Sequence, residues 1–115
     1  MDGGVRVRNL TGEAELLALI RDRIVDAYQP VRLVLFGSRA RGDAPADSDV
    51  DLLVVLPSVS DKRRLAVELR RLLRDLPVGK DIVVTTPDEI AARGGIVGSL
   101  LRSALREGRV LFEQP

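Results

Sequence analysis

Histidine, cysteine and tryptophan are all absent from the 115 residues. Such a chain has no disulfide, no zinc or haem ligation of the usual kind, and no nucleophile relay built on Cys or His. Any bound metal must be held by oxygen, and any general base must be a carboxylate or something rarer. Aromatics are nearly as scarce. Tyr28, Phe36 and Phe112 are the whole complement, too few for a base-stacking platform. Charge of one sign is lacking as well: 18 Lys plus Arg face 17 Asp plus Glu, a net +1. A dedicated nucleic-acid binder normally carries a clear positive excess. No apolar run approaches the roughly 18 residues that would span a bilayer, and residues 1–10 lack the apolar centre of a signal peptide. The expectation is a cytoplasmic protein with no membrane contact and no dedicated nucleic-acid binding.

What is present is a globular composition, 45% hydrophobic and 30% charged, at a length that makes one domain and leaves little room for a second. We expect a single domain over 1–115, with 1–10 as a loose basic leader. Thr11 is the expected cap of a helix over about 12–28, whose stripe is Leu16, Leu17, Ile20, Ile24, Ala27 and Tyr28. Pro30 closes it. Residues 31–36 are apolar and rich in β-branched side chains, which suits a buried strand. Residues 39–47 are polar, with Gly42 and Pro45, and read as a loop. A second strand over 48–56 stops at Pro57. Residues 61–76 make an amphipathic helix through Leu65, Leu69, Leu72, Leu73 and Leu76. A turn at Pro77-Val78-Gly79 leads to a strand over 81–85. Thr86-Pro87-Asp88-Glu89 is a capping box with Pro at the first helical position. Gly94-Gly95 breaks that helix, and 96–107 forms a last one with Ile96, Leu100, Leu101, Ala104 and Leu105 inward. Gly108 ends it before a short strand at 110–112. The order α-β-β-α-β-α-α-β belongs to an α/β (α+β) layer fold.

The chemistry is concentrated in two stretches. In Ser48-Asp49-Val50-Asp51-Leu52, alternation along a strand puts Asp49 and Asp51 on one face, about 6.5–7 Å apart. Val50 and Leu52 then point to the opposite, core-facing side. Two like charges so placed repel unless a cation sits between them. Paired carboxylates on a rigid strand are what a two-magnesium site uses, its metals about 3.5–4 Å apart. Asp81 opens the next strand. The crossover helix allows it either a parallel neighbouring place or a more distant one. Single acids of this kind are commonly just a solvated strand face, but an Asp-x-Asp inside so apolar a run is costly without partners. A calcium loop fails, because Leu52 stands where the required Gly should be and Ser58 where the closing Glu should be.

Upstream, the first strand ends in Gly37-Ser38, a turn whose backbone N–H groups and hydroxyl can cradle phosphate oxygens. Arg39 and Arg41 add fixed positive charge suited to phosphate. Alone, the segment reads equally as a tight turn with surface arginines. A P-loop is excluded, since Asp43-Ala44 follows Gly42 in place of Lys-Ser/Thr. A phosphate cradle beside an acidic cluster is the part list for phosphoryl or nucleotidyl transfer.

Gly37-Ser38, ten intervening residues, then Asp49-Val50-Asp51 resembles the signature of the polymerase-beta-type nucleotidyltransferase superfamily. The Gly-Ser-Arg-Ala-Arg-Gly run and small size resemble its minimal nucleotidyltransferases (MNT proteins, the MntA-like antitoxins). Asp81-Ile82-Val83-Val84 followed by Thr86-Pro87-Asp88-Glu89 is similar to the family's third-carboxylate strand. The resemblance implies a nucleotidyltransferase fold, a small mixed β-sheet with helices packed on one side. It implies magnesium-dependent transfer of a nucleoside monophosphate from ATP or another NTP to a hydroxyl, with release of pyrophosphate. Gly37 and Ser38 would then hold the triphosphate with Arg41 as charge partner. Asp49 and Asp51 would bind both metals, and Asp81 would bind the catalytic metal and help deprotonate the acceptor. Arg39 falls at a variable position and its role stays open.

MNT proteins are typically paired with HEPN-domain toxins, and some adenylylate a tyrosine of that partner. The larger enzymes of the superfamily add a helical domain that holds the acceptor, for which 115 residues leave no room. The acceptor surface is therefore expected from a partner protein or a second subunit. Two alternatives stand beside protein adenylylation: an antitoxin module that acts by occlusion without catalysis, and an antibiotic-type, small-molecule nucleotidyltransferase. Lys62, Arg63, Arg64, Arg70, Arg71 and Arg74 on the polar side of the 61–76 helix form either a solvated face or a docking surface.

Overall fold

Arg32–Phe36 and Val50–Val55 are apolar at nearly every position, so neither face of a sheet built on them can be left to water. The computed structural model describes residues 12–42, 48–95 and 100–115 and places these two strands at the centre of a four-stranded sheet. The elements are α1 (Glu13–Tyr28), β1 (Arg32–Phe36), α2 (Ser38–Arg41), β2 (Val50–Val55), α3 (Lys62–Leu72), β3 (Lys80–Thr85), α4 (Pro87–Arg93), α5 (Leu100–Glu107) and β4 (Arg109–Glu113). The strand order is β3-β2-β1-β4. β1 runs antiparallel to β2 and β4, and β2 runs parallel to β3. The sheet is mixed, as expected, and α3 is the crossover between its parallel pair.

One face carries Leu33, Leu35, Val50, Leu52, Val54, Ile82 and Val84 under α1 and α3, whose Leu17, Ile20, Ile24 and Leu69 are buried against it. The other carries Val34, Phe36, Leu53 and Val55 under Leu101 and Ala104 of α5, with Ile90 of α4 alongside. One-sided helix cover was expected. The second face is covered as well, because β1 and β2 do not alternate apolar with polar and both of their faces must be buried. Burying each such side chain is worth about 1.5–3 kcal/mol.

The helix ends follow local chemistry. The proposed Thr11 cap, the 1–10 leader and the Ile96 contact lie outside the described residues, and Gly12 holds the cap position of α1 without a side-chain bond. Gln29, left-handed at φ 50°, closes α1 by donating its N–H to the Val25 carbonyl. The Asp61 carboxylate caps α3 by accepting the Arg64 N–H at 3.1 Å. α3 is regular only to Leu72, short of the expected 76. Its continuation tightens into the three-residue bonds Arg74 N–H to Arg71 and Leu76 N–H to Leu73, since Pro77 disfavours helical backbone at the residue before it. The Thr86 hydroxyl accepts the Glu89 N–H at 3.2 Å with Pro87 in the first turn. The reciprocal half of the box is absent: the Glu89 carboxylate accepts instead from the Thr85 hydroxyl at 2.7 Å and from Lys62.

Where 39–47 was read as a loop, Ser38–Arg41 forms a single helical turn that overlaps its start. It is bracketed by Gly37 at φ 76° and Gly42 at φ 84°, positive torsions that let the chain leave β1 sharply and stop after four residues.

Candidate active site

Asp51 pairs across the parallel ladder with Asp81 and across the antiparallel one with Phe36. Directly opposed residues share a face, so both acids project together, and Asp49, two residues before Asp51, projects with them. Of the two positions left open for Asp81, the parallel neighbour is the one found. Val50 and Leu52 point away into the core, as expected.

Two glycines make room for the first pair of carboxylates. A Cβ on Gly37 would collide with Asp51 Oδ2, and a Cβ on Gly79 would collide with Asp49 Oδ1. The Asp51 carboxylate therefore lies against the backbone of the Gly37-Ser38 turn, at the point where β1 gives way to α2. Gly79 also accepts the Val50 N–H at 2.8 Å, extending the β2–β3 pairing one step upstream. Gly79 was read only as part of a turn. Its place two residues before Asp81, in parallel register with a strand carrying Asp-x-Asp, is the signal that would have found it.

The electrostatics agree with this geometry. Burial raises the proton affinity of Asp51 above that of an ordinary carboxylate, and the charges of Asp81 and Asp49 raise it further. The charge of Arg41 pulls it back down. Asp81 is 60% exposed and lies 3.9 Å from an Arg70 guanidinium nitrogen. Among the described residues no three acids converge to metal-ligating distance. The three aspartates share a face within electrostatic range of one another, short of a closed ligand set. Their oxygens are hard donors of the kind a divalent cation takes.

Arg39, left without a role by the sequence, is buried to 7% exposure. Its Nε and one terminal nitrogen donate to the Ser48 carbonyl at 3.0 and 2.6 Å, and the other terminal nitrogen donates to Glu13 at 2.8 Å. It ties α2 to the residue before Asp49 and to the first turn of α1. Nothing local in the sequence separates this buried arginine from the exposed Arg41 two positions on.

The fold and this arrangement define a small nucleotidyltransferase domain. The family model described as nucleotidyltransferase domain matches residues 17–111, and the chain belongs to that family. The chain is similar to a protein from Sulfolobus solfataricus taken to be a nucleotidyltransferase, at 20% identity and TM-score 0.59, covering 86% of this chain and 79% of that one. It is also similar to a mutant of the toxin-antitoxin MntA-HpeT, at 23% identity and TM-score 0.59, covering 91% and 75%. A toxin-antitoxin with AMP-PNP matches at 22% identity and TM-score 0.50, covering 90% and 75%. Likenesses at these identities establish the shared fold. A comparison with curated proteins finds no match. Among the described residues no helix is long and apolar enough to cross a membrane.

Proposed function

We propose that this chain transfers AMP from ATP to a hydroxyl on a partner protein, and that the partner is a HEPN-domain toxin for which it serves as cytoplasmic antitoxin. The observation that carries the reading is the meeting of Asp49, Asp51 and Asp81 on one sheet face with the Gly37-Ser38 turn packed against Asp51. The likeness to the MntA-HpeT toxin-antitoxin supports the choice of partner, and the matched AMP-PNP structure supports an adenine nucleotide.

Gly37 and Ser38 hold the triphosphate, with Arg41 supplying positive charge beside it. Asp49, Asp51 and Asp81 are the residues that would hold magnesium. Magnesium, when bound, neutralises the phosphate oxygens and offsets the repulsion that Asp51 experiences. Asp81 accepts the proton of the acceptor hydroxyl. The hydroxyl oxygen forms its bond to the α-phosphorus as the bond to the bridging oxygen of the β-phosphate breaks, and pyrophosphate leaves with that electron pair. The exposure of Asp81 suits a group that meets a second macromolecule.

The test is incubation with ATP labelled in the α-phosphate, magnesium and the product of the adjacent reading frame. Label on that protein, lost in Asp49→Asn/Asp51→Asn, is the expected result. An unlabelled partner that still forms a complex, and that the double variant still neutralises, would replace catalysis with occlusion.

A further inference from the structure

A groove of about 360 Å³ runs between α3 and the start of β3, lined by Val67, Arg70, Arg71, Arg74, Val78, Gly79 and Lys80. Four of its residues are cationic in a chain whose net charge is only +1. Among the described residues neither Arg71 nor Arg74 has an ion-pair partner. Lys80 donates to the Leu76 carbonyl at 2.9 Å with the Asp75 charge in electrostatic range, and Arg70 lies 3.9 Å from Asp81. The floor is apolar: Val67 is 41% exposed, one of three large hydrophobics left in water among the described residues, and Val78 lies beside it. Cations around an apolar floor match a segment that carries both carboxylates and an apolar side chain. No aromatic lines the groove, so it lacks the stacking surface that single-stranded nucleic acid uses.

Its position gives it a purpose. The sheet order sets β2, with Asp49 and Asp51, between β1 and β3. The Gly37-Ser38 turn flanks the acids on the β1 side. The groove lies at the β3 edge beneath α3, on the sheet face opposite the one from which the acids project, and shares Gly79 and Lys80 with the segment that carries Asp81. Arg70, whose guanidinium lies 3.9 Å from Asp81, spans from the groove round the sheet edge to the acids. That placement suits a nucleotide approaching from one side and an acceptor from the other.

Resting on the reading above, we infer that this groove docks an acidic, partly apolar segment of the acceptor protein and so delivers a nearby hydroxyl to Asp81. The specificity for the acceptor then lies in α3 and the 78–80 segment, apart from the nucleotide-holding turn.

The experiment uses the full chain and three fluorescein-labelled probes of equal length: a Glu/Leu peptide containing one Tyr, the same peptide with Lys for Glu, and oligouridylate. The variants are Arg71→Glu/Arg74→Glu and the charge-conserving Arg71→Lys/Arg74→Lys. By fluorescence anisotropy the acidic peptide is expected to bind, to weaken as salt rises, to lose tenfold or more affinity in the Glu variant and to keep most of it in the Lys variant. The thermal shift produced by MgATP is expected to be the same in all three proteins, which shows that the Glu variant folds and binds nucleotide. Equal binding of the Lys peptide, tighter binding of oligouridylate, or no loss in the Glu variant overturns the proposal. Anisotropy needs no catalysis, so groove-dependent binding by a protein that leaves the neighbouring gene's product unlabelled overturns nucleotidyl transfer and leaves the groove standing. Transfer to the neighbouring gene's product with an unchanged KM in the Glu variant overturns the groove alone.

Discussion

Replacing Asp51 with Asn should make the protein more stable when divalent metal is chelated, while removing its activity. Asp51 is directly opposed to Asp81 in the parallel ladder, has Asp49 on the same face, and is pressed against Gly37 where water is partly excluded. Like charges directly opposed in a sheet cost about 0.2–1 kcal/mol. Asn keeps the shape of the side chain and relieves both the repulsion and the cost of burying a charge. A gain of about 0.5–1 kcal/mol corresponds to roughly 2–8 °C in Tm for a domain near this size. The pH dependence has a definite sign. Because folding raises the proton affinity of Asp51, the native state binds more protons than the unfolded chain across the carboxylate range. Its contribution is most favourable below the ordinary Asp value and is lost as pH rises through the raised one. Thermal melts in EDTA from pH 3 to 8 should therefore show the two proteins converging in acid and the Asn variant pulling ahead toward neutrality. Adding magnesium with ATP should narrow or reverse that gap, since ligand stabilises only the folded site that holds it. An Asn variant no more stable than the parent at pH 7 in EDTA, or a gap that persists at pH 3, would refute the crowding of these carboxylates.

Gly79→Ala should cut nucleotidyl transfer at least tenfold at a stability cost of about 1 kcal/mol, because its Cβ must displace the Asp49 carboxylate while the backbone there needs no unusual torsion; single-turnover rates beside a denaturant curve check it. Arg39→Ala should lose about 2–3 kcal/mol, the scale of hydrogen bonds made by one charged group, since the Ser48 carbonyl and Glu13 lose their shared donor. Arg39→Lys should recover only part of it, for want of a second nitrogen to fork onto the carbonyl, as urea unfolding would show. Glu89 has its carboxyl held below the ordinary Glu value by hydrogen bonds from Lys62 and Thr85. That contribution is present above the ordinary value and lost as pH falls through the lowered one, so Glu89→Gln should flatten the acid limb of the stability profile between those values.

The acids and the turn were legible because their pattern is local. Asp49-Val50-Asp51 declares its own faces by alternation, and Gly37-Ser38 ends an apolar run where a strand must stop. Asp81 was legible as a strand residue but not as a neighbour, because a crossover helix feeds a parallel strand at more than one place in a sheet. The ladder from Val50–Lys80 to Val55–Thr85 decides it. The roles of Gly79 and Arg39 depend on contacts with Asp49, Ser48 and Glu13, which no spacing rule reaches. α2 escaped notice because four residues show no helical period. The helix cover on the second face was available in the unbroken apolar character of β1 and β2, which weighed against the one-sided arrangement.

The position of the acids in the sheet accounts for how a small domain tolerates them. Along the face that carries Asp51, Leu53 and Val55 follow at once and are fully buried, with Val34 and Phe36 on the neighbouring strand and α5 above. That apolar layer excludes water from one side of Asp51, and by doing so strengthens its coupling to any cation or phosphate placed against it. Each of those side chains contributes about 1.5–3 kcal/mol by burial, more than the roughly 1 kcal/mol at stake between two opposed carboxylates. The antiparallel pairing of β1 with β2 then matters for the site. It brings the end of one strand, Gly37, to the start of the next two, so the Gly37-Ser38 turn and the acids meet at one end of the sheet. Arg39 locks that meeting by binding the residue just before Asp49. In the proposed reaction, the exposed side of Asp81 is where a second molecule would supply the hydroxyl.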